Sequence, residues 1–259
     1  MGVHYSAKTL PHIPGVDGVG ITSQGQQVYF STFALPTGSF AEIINVPKDD
    51  VAPLPEGVDP VQVAAAMNPM LSSWMAIRKR TTNLPADFSI LILGATSASG
   101  KIAIDVARHL GAKRVIGVAR NFSALQELGL DESIQMMDPV EQTDFSKLGD
   151  VEVILDYIYG PITAHLLGSL KTAAPVQFVQ IGTLGTPTME LTASILRSMD
   201  ITMRGAGPGS WNMDDLRVEL PAMVMATKAL RSVGVKVAKL SDVESVWGEK
   251  TKERMVFIP

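Results

Sequence analysis

The residues best placed to do chemistry form a run of small side chains, Gly94-Ala95-Thr96-Ser97-Ala98-Ser99-Gly100, directly after the apolar segment Ser89–Leu93. A small residue at every position lets the backbone approach a diphosphate closely. The free N–H groups and positive end of a helix starting near Ser99 then favour the negative charge. Lys101 adds a cation beside it. A tight structural turn between strand and helix is the competing reading, because the run is not a full GxGxxG. A second feature bears on the choice. About 20 residues on, at the end of the next strand, an NAD-binding unit presents Asp or Glu to the ribose 2′-hydroxyl. This chain reads Val118-Ala119-Arg120-Asn121 there. It offers no carboxylate to repel a 2′-phosphate. Arg120 has the planar fork that pairs with phosphate bidentately and stacks beside adenine, so the pattern favours NADP(H) over NAD(H). An arginine on a solvated loop is the bland alternative.

Such a turn needs a parallel sheet to present it, and the chain supplies the rhythm of one. The runs Ser89–Leu93, Arg114–Val118, Val151–Leu155, Val176–Ile181 and Ile201–Arg204 read as strands. Between them Lys101–Leu110, Ser123–Leu128, Pro161–Leu170 and Leu191–Ser198 read as helices. Continuous apolar strands of this kind are covered on both faces, which implies a doubly wound sheet. In the first helix Ile102, Val106 and Leu110, with Ala103 and Ala107, make a stripe for the sheet; Lys101, Asp105 and Arg108 turn to water, and Gly111 ends the helix. Ligands of open α/β sheets sit beyond the carboxyl ends of the strands, which adds Tyr157, Gly182 and Thr183 to the cofactor candidates. Asp156 as a turn cap and Tyr157 as a packing residue are the structural alternatives.

Upstream the texture changes. Leu10–Pro14 and Val51–Pro60 are rich in Pro, Gly and Asp, while Gln27–Phe30 and Ser39–Val46 read as strands joined by turns. A long helix is expected over Pro60–Arg80, with Asp59 as N-cap and Pro60 at the first helical position. Another helix is expected over Met213–Arg231, followed by strands at Val235–Lys239 and Arg254–Pro259. Residues 81–231 are therefore assigned to the dinucleotide-binding domain, and residues 1–80 with 232–259 to a smaller lobe and its linking helix.

Composition narrows the field. The 259 residues include no cysteine, which removes disulfides, thiolate metal sites and cysteine nucleophiles and suits a reducing, cytoplasmic compartment. A net charge of −4 without basic clusters argues against nucleic acid as a partner. The apolar blocks are too short to span a membrane, and the start does not read as a secretory signal. Met1–Ser6 fits the permissive N-myristoylation pattern but has no polybasic patch to support a single acyl chain, so lipidation is not expected. His4, His12, His109 and His165 are scattered, so no metal is expected. Gly-x-Ser-x-Gly is absent, and Asp49-Asp50 looks like a solvated turn.

Taken together, Ile13-Pro-Gly-Val-Asp-Gly-Val-Gly20, Gly38-Ser-Phe-Ala-Glu42, Leu54-Pro-Glu-Gly57, Ala64–Trp74 and Leu91–Gly100 resemble the medium-chain dehydrogenase/reductase superfamily in its zinc-independent quinone-oxidoreductase-like branch. The resemblance covers nearly the whole chain. It implies a Rossmann doubly wound parallel sheet plus a smaller β-rich (GroES-like) lobe. That lobe looks partly truncated, since only Met1–Leu10 precedes the proline-glycine block. Zinc-dependent members carry a histidine ligand where this chain has Val16, so zinc is not expected. The implied activity is hydride transfer from NADPH to a quinone or activated alkene. Zinc-independent carbonyl reduction and NADPH binding without turnover are the alternatives. Asn68, Ser72 and Ser73 match the helix beside the nicotinamide and become candidates for orienting carboxamide or substrate; Tyr157 becomes a candidate proton donor. The resemblance also implies a homodimer through the sheet edge at Ile201–Gly205.

Overall fold

The computed structural model describes residues 10–259; the myristoylation pattern and His4 lie outside the described residues. In chain order the strands and helices are β1 (Asp17–Ile21), β2 (Gln27–Ser31), β3 (Val51–Pro53), α1 (Pro60–Arg80), β4 (Ser89–Leu93), α2 (Ala98–His109), β5 (Arg114–Ala119), α3 (Phe122–Gln126) and β6 (Glu132–Gln135). They continue with β7 (Val153–Asp156), α4 (Pro161–Ser169), β8 (Val176–Gln180), α5 (Ala193–Ser198), β9 (Ile201–Gly205), α6 (Met213–Ala226), β10 (Val235–Lys239), α7 (Val243–Val246) and β11 (Arg254–Ile258). No described helix is long and apolar enough to cross a membrane.

The chain forms two compact units. One comprises Met1–Asn68, Met213–Lys228 and Ser232–Pro259, the other Pro69–Asn212 and Ala229–Arg231. The division differs from the sequence-based boundaries: it falls inside α1, and it groups α6 with the smaller unit.

The larger unit is built on six strands, all parallel, in the order β6-β5-β4-β7-β8-β9. That is the strand order of a dinucleotide-binding sheet, with its switch point between β4 and β7. Alternate strand residues serve opposite faces. Leu91, Leu93, Ile116, Val118, Ile154 and Phe178 pack in one buried cluster with Ile162, Leu166 and Leu167 of α4 and Ile195 of α5. On α2, Ile102, Ala103, Ile104, Val106 and Ala107 are buried as its apolar stripe requires. Asp105 does not turn to water; its carboxylate, only 12% exposed, pairs with the Arg231 guanidinium at 2.6 Å. No local pattern signals that pair, which spans 126 positions of sequence.

In the smaller unit β1, β2 and β3 form an antiparallel sheet, and β10 and β11 a separate parallel pair. Asp50 is buried and accepts from Arg217 of α6 at 2.8 and 3.2 Å, so it is an ion-pair partner and not a solvated turn residue. The strand expected over Ser39–Val46 does not form. Gly38 and Phe40 instead donate singly to the carbonyls of Ile13 and Pro14, and the Phe40 ring packs 5.3 Å from Phe257 and 5.9 Å from Trp247. The Phe40 amide and ring are thus engaged in tertiary contacts and not in a ladder. The helix expected over Met213–Arg231 ends at Ala226 and passes into a single 3-10 turn, Thr227–Ala229. At the start of α1, Asp59 caps as expected, accepting from Val61 N–H at 2.9 Å.

Candidate nucleotide site at the strand ends

The turn after β4 is held from below and open above. Gly94 and Ala95 N–H both donate to Val118 O, at 2.8 and 3.2 Å, which pins the turn to the end of β5. Gly94 adopts φ +96°, a left-handed conformation that favours glycine. Gly100 meets a different demand: a Cβ there would lie 2.2 Å from Gly94 O and 2.9 Å from Ala95 Cα. The first turn of α2 therefore sits directly on the strand end. Ser97 is its N-cap, with Oγ accepting from Gly100 N–H at 3.0 Å and the backbone carbonyl accepting from Lys101 N–H at 2.9 Å. Ala98 and Ser99, the first two helical residues, have no acceptor within the helix for their N–H groups. Small side chains at 95–99 keep those donors accessible, and α2 has 12 residues to contribute its dipole. The arrangement fits a diphosphate: a backbone cradle, two unspent amide donors and the exposed Lys101 at one end of a helix.

At the end of β5, Ala119 is buried and Arg120 is exposed. Among the described residues no hydrogen bond or ion pair engages the Arg120 guanidinium. Asn121 is the N-cap of α3: its Oδ1 accepts from Ala124 N–H at 3.1 Å and from Ser123 Oγ at 2.8 Å. That fixes the amide the other way round, with its Nδ2 donors turned from the helix. Two adjacent residues thus offer donors and no carboxylate.

Beyond β7 the segment 156–160 is held from several sides. Asp156 is fully buried; its Oδ1 accepts from Ile158 and Tyr159 N–H at 2.8 and 2.9 Å, and its Oδ2 from Thr163 Oγ1 at 2.7 Å. Burial raises its pKa above the ordinary carboxylate value while these three donors oppose the rise. It is a turn-forming residue, not a free acid. Tyr159 takes φ +63°, which a tyrosine adopts only where its surroundings hold it there. The Tyr157 side chain is buried, with its hydroxyl 3.2 Å from Ser72 Oγ on α1. Ser72 and Ser73 hydroxyls lie 2.7 and 3.1 Å from the carbonyls of Pro69 and Met70, one turn back, and each serine has one proton to give. The Ser72 proton serves Pro69 O or the phenol oxygen, so the Tyr157–Ser72 bond runs in either direction. Burial pushes the phenol up to about 12, against the lowering effect of the two serine hydroxyls.

The structure thus brings Ser72, Ser73 and Tyr157 together within the larger unit. Asn68 lies one helical turn before Ser72, half-buried, in the part of α1 that belongs to the smaller unit. Gly182 N–H donates to Asp156 O at 3.1 Å, and a Cβ on Gly182 would stand 2.8 Å from Tyr157 O. Gly182 is therefore small because Tyr157 is there, and Thr183 next to it is exposed. Ile158 was missed by sequence reasoning, since a single isoleucine after a strand carries no signal of its own.

The described histidines are engaged elsewhere. The His109 ring lies 5.7 Å from the Trp74 ring, and His165 Nε2 is 2.9 Å from Thr143 O. Among the described residues no group of three or more His, Asp or Glu is arranged to hold a metal.

No protein-family model matches the chain. A probable NADPH-dependent quinone reductase of Emericella nidulans is 34% identical over 308 residues, an alignment that takes in all of this chain and 86% of that protein. Among solved structures, quinone oxidoreductase from Pseudomonas syringae pv. tomato superposes with TM-score 0.74 at 22% identity, over 98% of this chain and 84% of that one. The quinone oxidoreductase of Thermus thermophilus, solved also in complex with NADPH, gives 0.71 at 23% identity over 94% and 79%. The two structures speak for the fold, and the full-length sequence match speaks for kinship: this chain belongs to the quinone-oxidoreductase-like branch of the medium-chain dehydrogenase/reductase superfamily.

Proposed function

We propose that the protein is an NADPH-dependent oxidoreductase that reduces a small quinone or activated alkene without zinc. The observation that carries the reading is the pairing of an open diphosphate turn at Gly94–Gly100 with an unengaged guanidinium, Arg120, where a carboxylate would select NAD(H). The kinship with a probable NADPH-dependent quinone reductase supports it. When bound, the nucleotide supplies the hydride.

The chain's own residues do the rest. The Ala98 and Ser99 amides, with Lys101, hold the diphosphate; Gly94, Ala95, Thr96, Ser97 and Gly100 shape the cradle. Arg120 and the Nδ2 group of Asn121 take the 2′-phosphate, and Ala119 ends the strand that aims them. Gly182, Thr183 and Tyr157 line the neighbouring strand ends. Asn68, Ser72 and Ser73 orient carboxamide or substrate. The substrate's proton arrives from solvent or from the Tyr157 hydroxyl, which lies 3.2 Å from Ser72 Oγ. Hydrogen bonds polarise the acceptor in this reading. We further propose a cytoplasmic homodimer joined through the edge of β9, with no nucleic-acid partner.

The test is calorimetry of NADPH and NADH with wild type and Arg120→Ala. The expected result is a ten- to hundredfold loss of NADPH affinity, about the worth of a charge-assisted fork, with NADH changed by less than about twofold. Equal losses for both nucleotides refute the assignment. Oxidation of NADPH by a panel of quinones and enones tests turnover; NADPH binding with no accelerated oxidation across that panel makes the protein a binder and not an enzyme.

A further inference from the structure

Three segments at the strand ends are stacked on one another with no room to spare. The middle one, 156–160, lies between the Gly94 turn and the exposed loop 182–186. Leu184 and Gly185 N–H donate to Tyr157 O and Ile158 O at 3.1 and 2.8 Å, so the exposed loop is hydrogen-bonded to the middle segment by its backbone. A Cβ on Gly185 would stand 2.7 Å from Tyr159 O and 3.0 Å from Ile158 Cγ2. On the opposite side, a Cβ on Gly94 would stand 3.2 Å from Ile158 Cγ1 and 3.3 Å from Tyr157 Cβ. Glycine on both sides of one isoleucine leaves Ile158 filling the space between turn and loop. The branched side chain uses one γ carbon against each glycine, and its stiff χ1 leaves few other ways to sit. Asp156 Oδ1 meanwhile holds the Ile158 amide at 2.8 Å, which fixes the backbone that carries the side chain.

We infer that Ile158 is a positioning residue, a wedge that sets the diphosphate turn at Gly94 against the 182–186 loop and the backbone of Tyr157. Gly185 is the seat on which it rests. The inference rests on the nucleotide reading above and extends it to a residue that need not touch the ligand. Displacing a cradle by about 1 Å is enough to cost up to a hundredfold in a positioned reaction, so a change at Ile158 reaches the diphosphate through Gly94. Arg120 sits at the end of β5, tied to the turn only through Val118 O, two residues before it, and so feels the change less than the diphosphate donors do.

The experiment compares NADPH with adenosine 2′-monophosphate, which lacks the diphosphate, on wild type, Ile158→Ala, Ile158→Val and Gly185→Ala, with thermal unfolding as a check on folding. Ile158→Ala is expected to weaken NADPH binding about tenfold and to leave adenosine 2′-monophosphate within about twofold of wild type. Ile158→Val, which keeps both γ carbons, stays near wild type. Gly185→Ala, which places a methyl against Ile158 and Tyr159 O from an exposed loop, reproduces the selective loss even should Ile158→Ala fail to fold. The wedge is overturned if wild type binds NADPH and the folded variants bind it equally well, or if they lose both ligands alike. Wild type that binds neither ligand refutes the nucleotide reading itself, and the wedge with it.

Discussion

Replacing Gly100 with alanine puts the nucleotide cradle under a defined load. The added methyl would fall 2.2 Å from Gly94 O, 2.9 Å from Ala95 Cα and 3.0 Å from Ala95 C. All three neighbours are backbone, so no side-chain rotation relieves the contact. An ordinary carbon–oxygen contact is about 3.3 Å, so the first turn of α2 and the strand end must separate by about 1 Å. That movement pulls on Ser97 N–H, which donates to the same Gly94 O at 3.0 Å, and on the Ser97 cap of Gly100 N–H at 3.0 Å. Overpacking of this kind costs roughly 1–3 kcal/mol. For a chain of this size that lowers the melting temperature by roughly 2–4 °C per kcal/mol. The same displacement moves the Ala98 and Ser99 donors proposed to hold the diphosphate, which costs about ten- to hundredfold in NADPH affinity, the worth of a hydrogen bond to a charged group. Differential scanning fluorimetry with and without NADPH reads both quantities: a lower melting temperature for the apoprotein and a smaller rise on adding nucleotide. A Gly100→Ala protein that melts and binds NADPH like wild type would refute the cradle geometry.

Two further outcomes follow from buried titratable groups. Asp17 lies under Tyr29, whose hydroxyl donates to Oδ2 at 2.9 Å; burial raises the carboxyl from 3.8 to about 6, against that bond and the nearby Arg254 charge. Because the folded state holds this proton more tightly than the unfolded chain, the contribution is fully favourable below about pH 4 and is lost as pH rises to about 6. Asp17→Asn is expected to melt higher than wild type at neutral pH by an amount worth roughly 2 kcal/mol, set below the full value because the residue keeps partial access to water. Its advantage should vanish near pH 4, and a gap that is the same at both pH values would refute the burial argument. Tyr157→Phe removes a hydroxyl whose two serine neighbours keep their carbonyl partners, so the melting temperature should change by less than the worth of about 1 kcal/mol. With the phenol at about 12, the wild-type rate of NADPH oxidation should show no ionisation of Tyr157 across the neutral range, and a rate limb there that Tyr157→Phe abolishes would overturn its assigned role.

Much of the larger unit is legible in the residues because its signals are local. A glycine-bounded turn between an apolar strand and an amphipathic helix, a proline at the first position of α1 behind an aspartate cap, and apolar runs of strand length each fix their own backbone. The smaller unit is less legible for the opposite reason. Asp17–Ile21 carries two glycines and went unread as a strand, yet it forms β1, where Gly18 leaves room for the Phe30 ring on the paired strand. Ser39–Val46 has the composition of a strand and is not one; its Phe40 N–H donates to Pro14 O, and the Phe40 ring packs against Phe257 and Trp247. The edge strand β6 went unread, since Glu132-Ser-Ile-Gln135 offers a single apolar side chain and is drawn into the sheet by its pairing with β5.

By itself the amino-acid order determined the glycine-bounded turn after β4 and the place of Arg120 at the end of β5, on which the proposed nucleotide reading rests, because spacing along one strand, one turn and one helix places those groups. Only the tertiary structure decided what Tyr157, Asp156 and Ile158 do. Their partners are Ser72, Thr163 and the two glycines at 94 and 185, which come from α1, α4 and two other strand ends. A side chain's proton partner and its steric seat depend on which elements the fold lays beside it, and neither distance along the chain nor residue type encodes that.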